Sequence, residues 1–202
     1  RRLFEVVDHL PYCARYPKYH LIYPMLLRIL YGCGLRLNEA LLLKTGDVDT
    51  TQGVLYLSNT KNGSQRCVPM SVSLWEYVDY YLEQMAYPPV YNGYFFTSPD
   101  GNHYNSTPVY VMMKKYMKAA HISREDGTPP RVHDLRHTFA VHALEKMDRE
   151  GYDLYYALPI LSTYLGHGSI RSTEKYLRLT FETRDSITDS MSGIYHNTFP
   201  EV

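Results

Sequence analysis

One stretch of the chain, residues 53–70, interrupts the helical periodicity on either side of it and so limits the possible folds. It holds two β-prone runs, residues 53–58 and 66–70, separated by Asn62-Gly63. Asn-Gly between β-prone runs is a strong hairpin signal, and a short strand at residues 47–49 would complete a small antiparallel sheet. The sequence therefore predicts a mainly α (α+β) fold, a helical domain with a small three-stranded antiparallel sheet.

Elsewhere apolar residues recur at three- and four-residue steps, which predicts helices. The predicted helices are one ending at Pro11, one at about 20–31, one following Arg36 with Asn38 as its cap, and others at 74–85, 108–121, from 132 onward, 158–165 and 169–179. We expect Gly32 and Gly34 to end the second of these helices in the left-handed conformation, and Ser169 or Ser172 to cap the last. Apolar steps at 187, 191 and 194 mark a sparse tail after Phe181. No internal repeat is visible, so we expect residues 1–202 to form a single domain.

Composition sets only broad limits on function. With 202 residues and 45% hydrophobic content, the chain can bury a substantial core. It contains no run of about 18 uncharged apolar residues, so no membrane span is predicted. Its three cysteines lack paired metal-ligand spacing, which favours reduced thiols and a cytoplasmic protein. Because the chain opens on a helical pattern without an initiator Met, we expect it to be a fragment that lacks an upstream domain.

Charge gives no general preference for a polyanionic partner. Lys plus Arg and Asp plus Glu both number 21, so the formal charges cancel. The distribution is uneven, because basic residues outnumber acidic ones over residues 114–136. Such a run is compatible with phosphate contacts, although it more often marks a solvated helix face.

Several side chains have the chemistry of a phosphate site. Arg36 stands at a helix start, where an anion is favoured, although it could simply pair with Glu39 on the surface. Lys61 is expected at the hairpin tip, as an edge lysine or a proton donor. His133 and Arg136 are three residues apart and therefore share a helix face.

Four segments resemble the catalytic domain of the tyrosine recombinases, the phage integrase family. The first arginine box of that family resembles YGCGLRLNEALLLKTGDV, and its hairpin lysine segment resembles TKNGSQRCVPM. Its histidine-x-x-arginine box resembles RVHDLRHTFAVHAL, and its last box resembles LGHGSIRSTEKYLRL, with a tyrosine nine residues after the histidine. Each box alone is weak evidence, but the boxes in this order are highly specific.

The resemblance implies a DNA breaking-rejoining enzyme and a role for each matching residue. Arg36 and Arg136 would bind the scissile phosphate with His167, and Glu39 would orient Arg36. His133 would act as base toward Tyr176, the nucleophile, while Lys61 would protonate the leaving 5′ oxygen. The product would be a 3′-phosphotyrosyl link formed without metal, cofactor or ATP.

The same resemblance implies partners and a setting. It implies binding to double-stranded DNA and a homo-tetramer on two DNA sites, with the segment after Phe181 packed on a neighbouring protomer. No membrane partner is expected, because the sequence predicts no membrane span. The resemblance also implies a bacterial, phage or mobile-element origin. We expect the family's N-terminal core-binding domain to lie outside this sequence.

Other readings remain open at the level of sequence. The chain could be a catalytically silent DNA-binding regulator on the same fold, a type IB topoisomerase or, more remotely, a metal-dependent nuclease. Tyr164 and Tyr195 compete as nucleophiles, but Tyr164 lies in an apolar helix and Tyr195 in the sparse tail. We interpret His137 and His142 as structural or surface residues.

Overall fold

The protein is represented by a computed structural model, which describes residues 1–58, 65–178 and 180. Its chain divides into two compact units, residues 1–139 and the part that begins at Ala140. Helix α6 (Val132–Arg149) runs through the division, so its first turns belong to the first unit and its last turns to the second.

The first unit is built around helix α2 (Tyr19–Gly32). Most of the apolar residues that predicted this helix are at most 1% exposed and form part of the core: Ile22, Met25, Leu26, Ile29 and Leu30. Helices α1 (Arg2–Asp8), α3 (Leu37–Leu41) and α4 (Val72–Met85) contact α2, and α5 (Ser106–Ala119) contacts α1 and α3.

The sheet of the first unit matches the predicted hairpin and its additional strand. Strands β1 (Val48–Asp49), β2 (Val54–Leu57) and β3 (Arg66–Pro69) form an antiparallel sheet in the order β1-β2-β3. Leu57 pairs with Arg66 and Val54 with Pro69, while β1 pairs with β2. The predicted Asn62-Gly63 turn lies outside the described residues. The fold class, mainly helical with three antiparallel strands, is confirmed.

The segment between α2 and α3 corrects two predictions. Gly32 is the last residue of α2 rather than a left-handed terminator, and Cys33 caps the helix in a right-handed conformation. Gly34 alone in this segment takes the left-handed conformation, with φ of 59°, which glycine adopts without a Cβ clash. Asn38 is not the cap of the next helix, because Arg36 occupies that position.

The second unit contains the end of α6, helix α7 (Leu154–Leu165) and a helical segment at residues 171–178. Helix α7 starts four residues before the predicted Leu158, because the side chain of Asp153 accepts a hydrogen bond from the Tyr155 backbone N–H (2.8 Å) and so caps an earlier turn. The side chain of Ser169, one of the two caps predicted for the last helix, accepts a hydrogen bond from the Arg171 backbone N–H at 3.3 Å.

Candidate functional site

Arg36 is held at the start of α3 by the carboxylate of Glu39. The Arg36 backbone N–H donates to Glu39 Oε2 (2.9 Å), and its Nη1 donates to Oε1 (2.7 Å). Glu39 satisfies one of the backbone donors that every helix start leaves unpaired, which is why Asn38 is not needed as a cap. The Arg36 side chain remains 25% exposed, whereas that of Glu39 is 3% exposed. The Arg36–Glu39 pair, which could have lain on the surface, therefore has a buried carboxylate and a partly exposed guanidinium.

A second arginine, which the sequence did not single out, shares the same carboxylate. Arg66, the first residue of β3, donates from Nη1 to Glu39 Oε1 (3.1 Å) and from Nη2 to Oε2 (2.8 Å). Burial raises the pKa of Glu39, but hydrogen bonds from Arg66 and Arg36 outweigh burial and lower it to about 2. No spacing rule relates residues 39 and 66, so the sequence alone does not predict their proximity.

Arg136 is brought to the same part of the first unit by α6. Its side chain is buried, with 1% of the residue exposed, and Nη1 donates to the Gly34 carbonyl oxygen at 2.7 Å. Gly34 lies two residues before Arg36 in the turn that leads to α3. The arginines of the first and third sequence boxes are therefore joined through the backbone of this turn.

His133 occupies the first turn of α6 but differs from Arg136 in its surroundings. Its residue is exposed, and its ring contacts His137 edge-on, with centroids 4.6 Å apart and an interplanar angle of 84°. The two residues lie about one helical turn apart, as their spacing predicts, but they differ in burial, because His133 is exposed and Arg136 is 1% exposed.

A groove beside His133 carries two basic side chains. Its lining comprises Tyr110, Met113, Lys114, Pro129, Pro130, Arg131, Val132 and His133. Asp134 accepts hydrogen bonds from the Arg131 backbone (2.9 Å) and Nη2 (3.3 Å), and it pairs with Arg124. Burial raises the pKa of Asp134, but these donors lower it overall. Lys114 is exposed on α5 and adds positive charge to the groove.

In the second unit, His167 and Tyr176 lie against each other. Gly166 has φ of 65°, and the backbone N–H groups of Gly166 and His167 donate to Thr163 O and Ser162 O, both at 3.0 Å. This is a Schellman ending of α7, and it fixes where the His167 side chain leaves the backbone. The imidazole stacks on the Tyr176 ring, with centroids 6.2 Å apart and planes inclined by 19°.

Thr173, which sequence reasoning missed, holds the His167 ring. His167 Nδ1 and Thr173 Oγ1 share a hydrogen bond of 2.8 Å, and Thr173 is 0% exposed. The signal available in the sequence was its position in a helix three residues before Tyr176. Tyr176 is itself only 1% exposed, so the residue is almost completely removed from solvent.

The remaining residues that the sequence singled out are only partly covered by the structure. Lys61 and Tyr195 lie outside the described residues, as does the tail after Phe181. Tyr164 is half-buried, and His142 is exposed. In the described part of the chain, no helix is long and apolar enough to cross a membrane, and no three His, Cys, Asp or Glu side chains form a group that could hold a metal.

This fold is that of the DNA breaking-rejoining enzymes. The crystal structure of XerA recombinase matches all of the chain and 61% of its own chain, with a TM-score of 0.70 at 22% identity. A crystal structure of XerH site-specific recombinase bound to difH substrate matches 87% of the chain and 47% of its own, with a TM-score of 0.69 at 25% identity.

The chain belongs to the phage integrase family, whose sequence profile matches residues 4–183. Among curated relatives, tyrosine recombinase XerC of Chlorobaculum parvum is 33% identical over 177 residues, which cover 81% of this chain and 47% of the relative. The chain spans about half the length of the curated relatives it matches.

Proposed function

We propose that residues 1–202 form the catalytic domain of a site-specific DNA recombinase. The domain would cleave and rejoin DNA strands through a 3′-phosphotyrosyl intermediate, without metal or ATP. Double-stranded DNA is the proposed substrate, and a homo-tetramer on two DNA sites is the proposed assembly. Membership of the phage integrase family and the similarity to a DNA-bound recombinase structure support this function.

The hydrogen bond from Arg136 to the Gly34 carbonyl carries most of the structural support. A phosphate is best held by two guanidiniums, each of which can donate two parallel hydrogen bonds to it. The bond brings the guanidinium of Arg136 to the turn that presents Arg36. In our proposal these two arginines bind the non-bridging oxygens of the scissile phosphate, where negative charge builds up during displacement.

The other roles follow from the chemistry of the displacement. Tyr176 attacks the phosphorus, His133 accepts the phenolic proton, and His167 donates to a phosphate oxygen. Lys61 protonates the 5′ oxygen as it leaves, and Glu39 orients Arg36. An unperturbed tyrosine ionises at about pH 10 and is therefore protonated at neutral pH. The attack needs both the base and the surrounding cations to make the phenol reactive.

The burial of Tyr176 adds one requirement to this mechanism. Because only 1% of the residue is exposed, the hydroxyl has to leave its buried position before it meets DNA. We therefore propose that cleavage is accompanied by a rearrangement of the helical segment 171–178.

A nicked suicide duplex tests the proposed function. After cleavage next to the nick, the short 5′-hydroxyl strand diffuses away and the protein stays covalently attached to the 3′ end. The full-length protein should form this adduct on its cognate site in EDTA and without ATP. Binding without an adduct would instead support the DNA-binding regulator.

A further inference from the structure

The Arg66 side chain is buried against the carboxylate that also holds Arg36. Its two Nη atoms each donate to one oxygen of Glu39, at 3.1 and 2.8 Å. The side chains of Arg66 and Glu39 are 7% and 3% exposed. A pair so deeply removed from water has to be complete, because a buried charge without its partner is strongly destabilising.

The net charge of Glu39 and its two arginine partners affects how well a phosphate can bind nearby. Arg36 uses the same two carboxylate oxygens, through its backbone N–H (2.9 Å) and its Nη1 (2.7 Å). Two guanidiniums on one carboxylate leave a net charge of +1 on the cluster. With Arg36 and Glu39 alone, the pair would be neutral, and the carboxylate would oppose an incoming phosphate.

Exposure shows which member of the cluster can meet a ligand. The Arg36 side chain is 25% exposed, more than three times the exposed fraction of Arg66. A phosphate can therefore reach Arg36, while Arg66 stays behind Glu39.

We propose that Arg66 is a positioning residue that keeps Arg36 available to the scissile phosphate by neutralising Glu39 from the buried side. This inference rests on the proposed function, since it assigns Arg66 a part in the same phosphate site. Arg66 does not touch the phosphate, and its effect passes through Glu39 and Arg36. Its contribution therefore depends on the negative charge of both Glu39 and the phosphate.

The test compares Arg66→Gln, Glu39→Gln and the double variant in the full-length protein. Each is given two nicked duplexes, one with a normal scissile phosphate and one with a neutral methylphosphonate there. Arg28→Gln is the control, because Arg28 forms a similar two-bond pair with Asp8 (2.7 and 2.6 Å) in the same unit. Adduct formation and duplex affinity are both measured.

We expect Arg66→Gln to slow adduct formation on the normal phosphate by about 10- to 100-fold. The loss should shrink to about threefold or less on the methylphosphonate, where no phosphate charge is opposed by Glu39. Adding Glu39→Gln should restore about tenfold of the loss, since it removes the uncompensated carboxylate.

Equal losses on the two duplexes, with no restoration by Glu39→Gln, would assign Arg66 a purely structural role. The same conclusion follows if Arg66→Gln behaves like Arg28→Gln. If even the wild-type protein forms no adduct, the proposed function fails. Affinity then decides the inference, because Arg66→Gln should still reduce the preference for the charged duplex over the neutral one, and an unchanged preference would overturn it.

Discussion

Arg136 Nη1 donates a hydrogen bond to the carbonyl oxygen of Gly34 at 2.7 Å, across 102 positions of the sequence. An arginine that is 1% exposed is uncommon, because burying a guanidinium is costly unless it is paired. In this fold a bond to the turn that leads directly into Arg36 offsets part of that cost. The bond makes the geometry of the two arginines interdependent, and the first prediction follows from it.

Arg136→Lys should reduce single-turnover cleavage by about 100-fold or more. Lysine keeps the positive charge but cannot hold the Gly34 carbonyl and a phosphate with one planar fork of donors. The measurement is the rate of adduct formation on a nicked duplex, with folding checked by urea unfolding. Arg124→Lys, a change at the partly exposed partner of Asp134, is the control. A similar rate in both variants would contradict the assignment of Arg136.

Glu39→Gln should remove part of the acid sensitivity of the fold. The folded-state pKa of Glu39 is lowered from 4.5 to about 2, so its contribution is complete above pH 4.5 and is lost as pH falls toward 2. The difference corresponds to about 3 kcal/mol of unfolding free energy. Urea unfolding between pH 7 and pH 2.5 measures it. Asp134→Asn, as the comparison, should retain the Glu39 contribution; identical pH profiles for wild type and Glu39→Gln would disprove the prediction.

Thr173→Val should slow cleavage by about tenfold, because the ring of His167 loses its 2.8 Å hydrogen bond. Valine preserves the shape of this buried side chain, so the change acts mainly through the hydroxyl. Thr173→Ser keeps the hydroxyl and should retain most of the activity. The comparison of adduct formation rates is decisive, since equal rates in the two variants would show that the bond does not orient His167 for the reaction.

Lys114→Gln should weaken DNA binding uniformly across sequences. If Lys114 contacts one phosphate from the groove beside His133, the slope of log affinity against log salt should fall by about 1. Lys18→Gln is the control, since Lys18 donates to the Gln84 carbonyl at 2.8 Å. Fluorescence anisotropy over a salt series measures both slopes, and indistinguishable slopes would place the DNA elsewhere.

Local signals in the sequence were enough to predict the fold class. Apolar periodicity correctly located α2, and the two β-prone runs correctly located β2 and β3. Helix starts were less predictable, because Asp153 begins α7 a full turn early and Arg36 displaces Asn38 as a cap. These choices depend on which side chain reaches a free backbone N–H, and spacing alone does not decide that.

Only some residues of the candidate site could be predicted from the sequence. Residues carried by family motifs could be named from the sequence, and their roles stay predictions. Arg66 and Thr173 lie within two of the matching segments, but the sequence did not reveal that each of them contacts another side chain of the site. Arg66 reaches Glu39 from the start of β3, 27 positions along the chain, and Thr173 reaches His167 across the turn after α7.

The most direct measurement is the identity of the residue that becomes attached to DNA. The full-length protein is trapped on a nicked cognate duplex, the adduct is digested, and the nucleotide-bearing peptide is sequenced by mass spectrometry, with Tyr176→Phe and Tyr164→Phe as companion variants. The account predicts a 3′-phosphate ester on Tyr176, an adduct that persists in Tyr164→Phe and no adduct in Tyr176→Phe. Attachment at any other residue, or an undiminished adduct in Tyr176→Phe, would contradict it.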